Sequence, residues 1–266
     1  MKKQIKWGFT VVELLIVFAI IVLLSTIILI GIINQREKAR VTGVLQAAAS
    51  IYHNLGAYIL GEWKFENNYD DTSGNENHGT PTAISFDSNP VSSELGKTAV
   101  FNGGSSKVDT GPDFIETSAL TICAWIYPEG WGEVDRGRIV DNGKVIFSLD
   151  SAAPSGLSFS SDGGGTTVTS GADIILNKWR FVCVTRNSAG NEVNFYVDAV
   201  LSGTADQDSG PPVGGENVII GNNNGQNFTF KGKIDEVRIY KEPLTLGQIK
   251  KNYIEGATKR GIAIND

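Results

Sequence analysis

Ten consecutive residues, Asp70-Asp71-Thr72-Ser73-Gly74-Asn75-Glu76-Asn77-His78-Gly79, form the densest set of oxygen-bearing side chains in the chain. A calcium ion takes about six to eight oxygens from carboxylates, amides and carbonyls, so a hard cation would be sought here. The spacing is not that of an EF-hand. Counted from Asp71, the sixth position is Glu76 where glycine is required, and the twelfth is Thr82 where glutamate is required. The same residues also suit Asx-turns and left-handed backbone without any ion. A second pair, Glu133 and Asp135 in PEGWGEVDRGR, raises glycoside hydrolysis, which needs an acid and a nucleophile or base flanking one bond. Arg136-Gly137-Arg138 follows rather than a third acid, and the pair sits in a glycine-rich loop. Asp235 and Glu236 are adjacent, so in a regular strand they face opposite sides of the sheet. With His53 and His78 as the only histidines, no Ser-His-Asp set and no multi-histidine metal site can be read. His53, within an amphipathic stretch, reads as a helix-surface or packing residue. The sequence therefore predicts a protein that is not an enzyme.

The two cysteines, Cys123 and Cys183, show no C-x-x-C spacing, which leaves no zinc or dithiol motif. Each falls in the middle of an apolar run, LTICAWI and RFVCVTR. A disulfide between neighbouring strands and two separate core thiols are both open at this point. Formal net charge is −6, with Lys2, Lys3 and Lys6 clustered in the first eight residues, so the remainder is more acidic still. An acidic body lacks the clustered Lys and Arg that bind phosphate backbones, and no nucleic-acid partner is expected. Thirty-one glycines and a single methionine in 266 residues fit a turn-rich β protein.

These residues must be positioned by elements of two kinds. From Phe9 to Ile30 the chain is apolar except for Glu13. At ~1.5 Å per residue such a helix is ~33 Å long, enough to span a hydrocarbon core of ~30 Å. The run is longer than the apolar part of a signal peptide, and no A-x-A-like site follows it. A carboxylate near the start of a membrane-length run costs a few kcal/mol to insert, so something must offset it. From Asn34 to about Leu60 apolar residues recur at three- and four-residue steps, which predicts a continuous helix over residues 9–60. Beyond Gly61 the period changes to two. GEWKFE, KTAVFN, LTICAWIYP, KVIFSLD, KWRFVCVTR, NEVNFYVDAV, NVIIG and FTFKGKIDEVRIY alternate or cluster apolar residues between turn residues. Many short strands at this spacing predict an antiparallel sandwich or jelly roll over residues 61–256. Leu244–Tyr253 reads as a short helix or turn, and residues 257–266 as a C-terminal tail.

The first sixteen or so residues after the initial lysines, K-W-G-F-T-V-V-E-L-L-I-V-F-A-I-I, resemble the start of a type IV pilin or pseudopilin precursor. The resemblance implies a leader over residues 1–8, removed by a prepilin peptidase between Gly8 and Phe9, with methylation of the new terminus. It also gives Glu13 a role: in a filament core its carboxylate meets the amino group at Phe9 of a neighbouring subunit, and the two charges neutralise each other. No proline interrupts the helix, and Gly31 is the nearest breaker. The implied partners are copies of the chain or other pilins, the peptidase, and the inner membrane before assembly.

The body carries a second resemblance. WKFENNYDDTSGNENHGT, AVFNGGSSKVDTG, LTICAWIYP, KWRFVCVTR, NFYVDAVLSG and KGKIDEVRIYKEPLTLGQI, in that order, are similar to a LamG or concanavalin A-like domain. This implies two antiparallel sheets packed face to face, with the first strand, Glu62–Glu66, near the last, Lys233–Tyr240. It further implies a structural calcium site with carboxylates from Asp71 and Asp235 and amide or backbone oxygens from Asn75, Asn77 and Gly103. Trp63, Trp125 and Trp179 read as core or sheet-face aromatics, whereas Trp131 lies in a polar loop. Ligand contacts would be sought near Trp131, Asp162–Gly165 and Asn222–Asn224. Together the two resemblances predict a mainly β chain on a pilin-type helix: a filament subunit displaying a LamG-type domain for adhesion to a glycan or surface protein. The alternatives are a pseudopilin of a type II secretion or DNA-uptake system, and a membrane-tethered lectin. The precursor is expected in the cytoplasmic membrane, and the β domain outside the cytoplasm on a cell-surface or extracellular filament.

Overall fold

The computed structural model describes residue 11 and residues 14–21, 58–87, 96–152, 156–163, 168–171, 174–187, 192–207 and 214–264. The chain divides into two compact units, Met1–Asn54 and Leu55–Asp266. In the first, residues 14–21 are helical and their apolar side chains are exposed. This is the described part of the helix expected over residues 9–60; Gly8, Phe9 and Glu13 lie outside the described residues. Among the described residues no helix is long and apolar enough to cross a membrane.

The second unit is a β-sandwich. Its strands, in chain order, begin with β1 Ile59–Trp63, β2 Thr80–Thr82, β3 Ser85–Asp87, β4 Thr98–Asn102 and β5 Lys107–Asp109. There follow β6 Leu120–Pro128, β7 Arg138–Asp141, β8 Ile146–Asp150, β9 Gly156–Ser160 and β10 Val168–Thr169. The last five are β11 Arg180–Arg186, β12 Glu192–Val197, β13 Val200–Asp206, β14 Ile219–Ile220 and β15 Lys231–Tyr240. They form two antiparallel sheets. The eight-stranded sheet runs β13-β12-β11-β6-β15-β4-β3, with β1 on the second half of the β15 edge that β4 occupies in its first half. The seven-stranded sheet runs β10-β9-β8-β7-β14-β5-β2.

Period-two alternation places the core between the sheets. Leu120, Ile122, Ala124 and Ile126 of β6 meet Phe147 and Leu149 of β8 and Leu157 and Phe159 of β9 in one cluster. All eight are fully buried, and each large apolar side chain contributes about 1.5–3 kcal/mol by leaving water. The pairing expected between the first and last strands is present, with Glu62 opposite Arg238 and Trp63 opposite Val237. The first strand starts three residues earlier than expected, however. Ile59 and Leu60 already belong to β1, so the N-terminal helix cannot reach residue 60.

β6 is buried on both faces because a helix covers the outer side of its sheet. This helix, α1, spans Leu246–Lys259, longer than the short element expected at Leu244–Tyr253 and past the boundary placed at residue 256. The Thr245 N–H donates to Gln248 Oε1 at 2.8 Å, a capping arrangement that starts it. Gly256 lets it lie close to the sheet: a Cβ there would stand 2.0 Å from Trp125 Nε1. Cys123, Trp125, Phe181, Cys183, Leu244, Ile249 and Ala257 pack together beneath it. Cys123 and Cys183 are directly opposed on β6 and β11 and form a disulfide. The residues after 256 are thus not wholly a loose tail, since Ala257 and Arg260 are buried.

The bulge in β15 overturns one expectation outright. Glu236 adopts φ 46°, and the pairing with β6 shifts register between Asp235 and Arg238. Asp235 and Glu236 consequently face the same side. Arg260 contacts the Asp235 carboxylate and lies 3.5 Å from Glu236 Oε1, and Lys259 Nζ is 3.0 Å from the same oxygen.

Candidate functional site

Alternation also gives the seven-stranded sheet an outer face, and its composition is unusual. Opposite the core residues of β8 and β9 stand Ile146, Ser148 and Asp150, and Ser158 and Ser160. All five are buried, although four are polar. Short side chains on a face that no helix covers among the described residues leave a hollow. A cleft of about 160 Å³ opens here, with Ile146, Ser158 and Ser160 as its floor and Arg136, Arg138 and Phe228 as its walls. Gly163 forms part of the rim; its φ is 80°, and a Cβ there would approach Gly143 O to 3.0 Å, so the turn requires glycine.

The walls are held by the sequence around them. Arg136 and Arg138 are two residues apart, so both can address one side of the β7 entry. The Arg138 guanidinium lies 4.1 Å from the centroid of the Phe228 ring. Its Nη1 donates to Ser148 Oγ at 3.2 Å, and its Nε is 3.0 Å from Asp141 Oδ2. The two groups are both largely buried and form an ion pair across the edge of the cleft. Burial pushes the Asp141 carboxyl above its ordinary value, against the pull of the Gly143 N–H and of Arg138. Burial likewise lowers Arg138, against the attraction of Asp141. Arg136 is looser: its side chain is 49% exposed and its Nη2 is 3.8 Å from Asp150 Oδ2. On the floor, Ser160 Oγ donates to Asp162 Oδ1 at 2.7 Å.

Phe228 is positioned by Asn222, which is wholly buried. Asn222 Oδ1 accepts the Phe228 N–H at 3.1 Å, and Asn222 Nδ2 donates to Thr229 Oγ1 at 2.7 Å and Ser106 O at 3.2 Å. The Arg138 N–H in turn donates to Phe228 O at 3.0 Å, which ties the two walls by their backbones. Asn222, sought as a ligand contact, is therefore scaffold. Asp162 and Gly163 do flank the cleft; Gly164 and Gly165 lie outside the described residues. Trp131 packs against the inter-sheet core, as do Trp63 and its neighbours, and Trp125 and Trp179 join the cluster under α1. Glu133, of the carboxylate pair weighed for hydrolysis, accepts the Thr229 N–H at 3.1 Å and so braces the same loop as Asn222.

The five residues assigned to a calcium site are not brought together. Asp71 Oδ1 accepts the N–H groups of Glu62 and Ser73, both at 2.9 Å, and Oδ2 accepts that of Asn77 at 3.0 Å. Asn75 and Asn77 donate their side-chain amides to Ile59 O and Leu60 O, both at 2.9 Å. The loop is thereby clasped to β1, as Asx-turn chemistry alone would do. Gly103, by contrast, donates its N–H to Phe230 O at 3.1 Å. Phe230, the residue before β15, and Arg238, the partner of Glu62, are eight residues apart in extended chain, at most roughly 25 Å at strand spacing. Asp235 faces Arg260 under α1. Calcium–oxygen bonds are about 2.3–2.6 Å, so these five do not fit one ion. Among the described residues no three His, Cys, Asp or Glu side chains are grouped to hold a metal.

Sequence reasoning missed the walls of the cleft. Arg136-Gly137-Arg138 was visible as two arginines in an acidic body, but Phe228 lies ninety positions away and only the fold joins them.

The architecture is shared with solved structures. Domain 4 of a GH43 extracellular arabinanase from Geobacillus stearothermophilus, solved with arabinotriose, matches with TM-score 0.61 and 20% identity, over 74% of this chain and 98% of that one. The binding domain of Paraclostridial mosquitocidal protein 1 matches with TM-score 0.57 and 16% identity, over 75% of this chain and 52% of that one. A botulinum neurotoxin type C structure, whose title links cell entry to interaction with two ganglioside molecules, matches at TM-score 0.51 and 14% identity, over 77% and 52%. The chain thus spans about half the length of the two toxin chains. No curated protein sequence matches it. The family described as the concanavalin A-like lectin/glucanases superfamily matches residues 102–250, more than half of the chain. Those residues run from the end of β4 into α1 and include every residue of the cleft, and the chain belongs to that superfamily.

Proposed function

We propose that the β-sandwich is a non-catalytic carbohydrate-recognition domain, displayed outside the cytoplasm by a pilin-type N-terminal segment. The observation that carries the binding reading is the cleft on the seven-stranded sheet. An aromatic ring, two guanidinium groups and two serine hydroxyls converge there on one small hollow, the mixture of apolar wall and fixed donors that orients a polar ligand. Similarity to an arabinanase domain solved with arabinotriose, and to a toxin whose cell entry involves gangliosides, is consistent with a glycan ligand. The acid pairs weighed for hydrolysis are engaged elsewhere, Glu133 by a backbone N–H and Asp235 by a buried arginine.

Display outside the cytoplasm rests on the leader, the Gly8–Phe9 junction and Glu13, and it agrees with a disulfide, which persists in oxidising compartments. The domain joins its N-terminal segment through β1, a strand of the eight-stranded sheet, whereas the cleft belongs to the other sheet. The binding test is a glycan and matrix-protein array probed with Leu55–Asp266, a fragment that retains Ile59 opposite Tyr240 and so completes β1. Retention of a defined set of glycans is expected; retention of matrix proteins alone would overturn the glycan reading. For the tether, Glu13→Ala is expected to prevent filament incorporation while leaving the domain folded. Normal filaments from that variant would remove the charge-pairing argument.

A further inference from the structure

The cleft also constrains the chemical class of its ligand, on the reading that it is the glycan site. We infer that it takes a single ring of an uncharged sugar rather than an acidic one. The two arginines invite the opposite conclusion, since guanidinium groups are the usual readers of carboxylate, sulfate and phosphate. Each already has a carboxylate, however: Asp141 at 3.0 Å from Arg138 and Asp150 at 3.8 Å from Arg136. With Asp162 at the rim, where it accepts from Ser160, three carboxylates stand near the two guanidinium groups, so the hollow has no surplus positive charge for an anion. An acidic sugar would bring a further negative charge beside Asp141 and Asp150, both nearly inaccessible to water. Like charges in a poorly solvated site repel strongly.

The donors and acceptors fit an uncharged polyol. A sugar hydroxyl donates and accepts at once, and so does the hydroxyl of Ser158 on the floor, beside Ser160, whose own hydroxyl is held by Asp162. Arg136, half exposed and loosely paired, retains donors that can turn to a ligand oxygen. Phe228 and Ile146 supply the apolar surface against which the C–H face of a ring can lie. Arg138 is held on three sides, by Phe228, Ser148 and Asp141, and acts as a positioning residue for the aromatic wall. Size sets the ring count. At about 160 Å³ the cleft is smaller than the roughly 300–1,000 Å³ of ordinary small-molecule sites, so it has no room for an oligosaccharide. One pyranose or furanose residue is what such a volume admits.

The test titrates the full chain, held in detergent, with methyl glycosides of neutral hexoses and pentoses and with their uronic-acid and sulfated counterparts, each at low and high salt. Binding of at least one neutral glycoside with little salt dependence is expected. Phe228→Ala should weaken it up to about tenfold, the upper range for an aromatic contact. Arg136→Gln, an exposed change with little risk to folding, should weaken it less and leave its salt insensitivity intact. Binding confined to the charged sugars and abolished by salt would overturn the uncharged class while leaving glycan recognition standing. Full affinity for a neutral glycoside in both variants would show that the cleft is not the site. No binding of any sugar would overturn the recognition reading itself.

Discussion

The outer faces of the two sheets use the same ingredients to opposite ends. Each carries arginines paired with aspartates and each sets a guanidinium against an aromatic ring. On the eight-stranded sheet Arg260 contacts Asp235, stands 4.5 Å from the Trp125 ring and 4.8 Å from the Trp179 ring, and has no exposed side-chain surface. Around it Arg238 reaches Glu62 at 2.8 Å and Glu255 at 3.5 Å, and Lys259 reaches Glu236. Helix α1 seals this network, so its charges hold the C-terminus to the sheet. On the seven-stranded sheet no helix intervenes among the described residues, Arg136 is half exposed, and the small residues beneath leave space. A charged pair is scaffold where it is sealed and, on the proposed reading of the cleft, a recognition element where it borders a hollow.

That contrast can be broken most forcefully at Arg260. Arg260→Met leaves Asp235 buried without its cation, a loss of about 3–5 kcal/mol in unfolding free energy by denaturant titration. A loss under about 1 kcal/mol would mean that the network is not what holds α1. Removing the disulfide under the same helix acts through the unfolded chain. Its cysteines are 60 residues apart, and Cys123→Ala with Cys183→Ala is expected to cost about 2–4 kcal/mol.

A smaller effect is expected from acid. Burial would raise Glu236, but Arg238, Arg260 and Lys259 hold its carboxyl below the ordinary 4.5; burial also opposes Arg238, Thr72 and Lys64 at Glu62, which is likewise held down. A carboxyl lowered in the folded state contributes stability above its unfolded value and loses it as pH falls through the folded one. The sandwich should therefore lose stability as pH drops below about 4.5, and Glu236→Gln should flatten that slope. Asp235 works the other way, since burial raises its carboxyl well above the ordinary value and the folded state takes up a proton more readily. A melting series across acid pH in the two single variants, Glu236→Gln and Asp235→Asn, separates them by sign.

On the cleft face the same types of change should barely touch stability. Arg136→Gln is expected to shift unfolding by no more than about 0.5 kcal/mol, as exposed substitutions do, while weakening glycan binding. A large stability loss there would erase the distinction between the two faces. The smallest effect concerns the loop at Asp70–Gly79. Because Asp71 is occupied by three backbone N–H groups, chelation should leave the melting midpoint unmoved, and a clear drop would restore a bound ion.

How much could be read in advance also divides between the sheets. The runs LTICAWIYP, KWRFVCVTR and KGKIDEVRIY are long and apolar, and β6, β11 and β15 were legible from them because both their faces are buried. β7 and β9 were not, since outward Arg, Asp and Ser dilute the alternation until it resembles loop, and β10 is only two residues long. The cleft was hidden for the same reason that it exists.

The order and period of apolar residues determined the sandwich and the mid-strand placement of both cysteines, because burial of alternate side chains is a local property of a strand; the first-to-last strand pairing came only with the resemblance to LamG-type domains. Tertiary structure alone decided the rest. It turned Asp235 and Glu236 to one side through a bulge, opposed Cys123 to Cys183, and set Phe228 against Arg138 across ninety positions of chain. Each of these depends on register between distant strands, which side-chain chemistry read along one strand cannot specify.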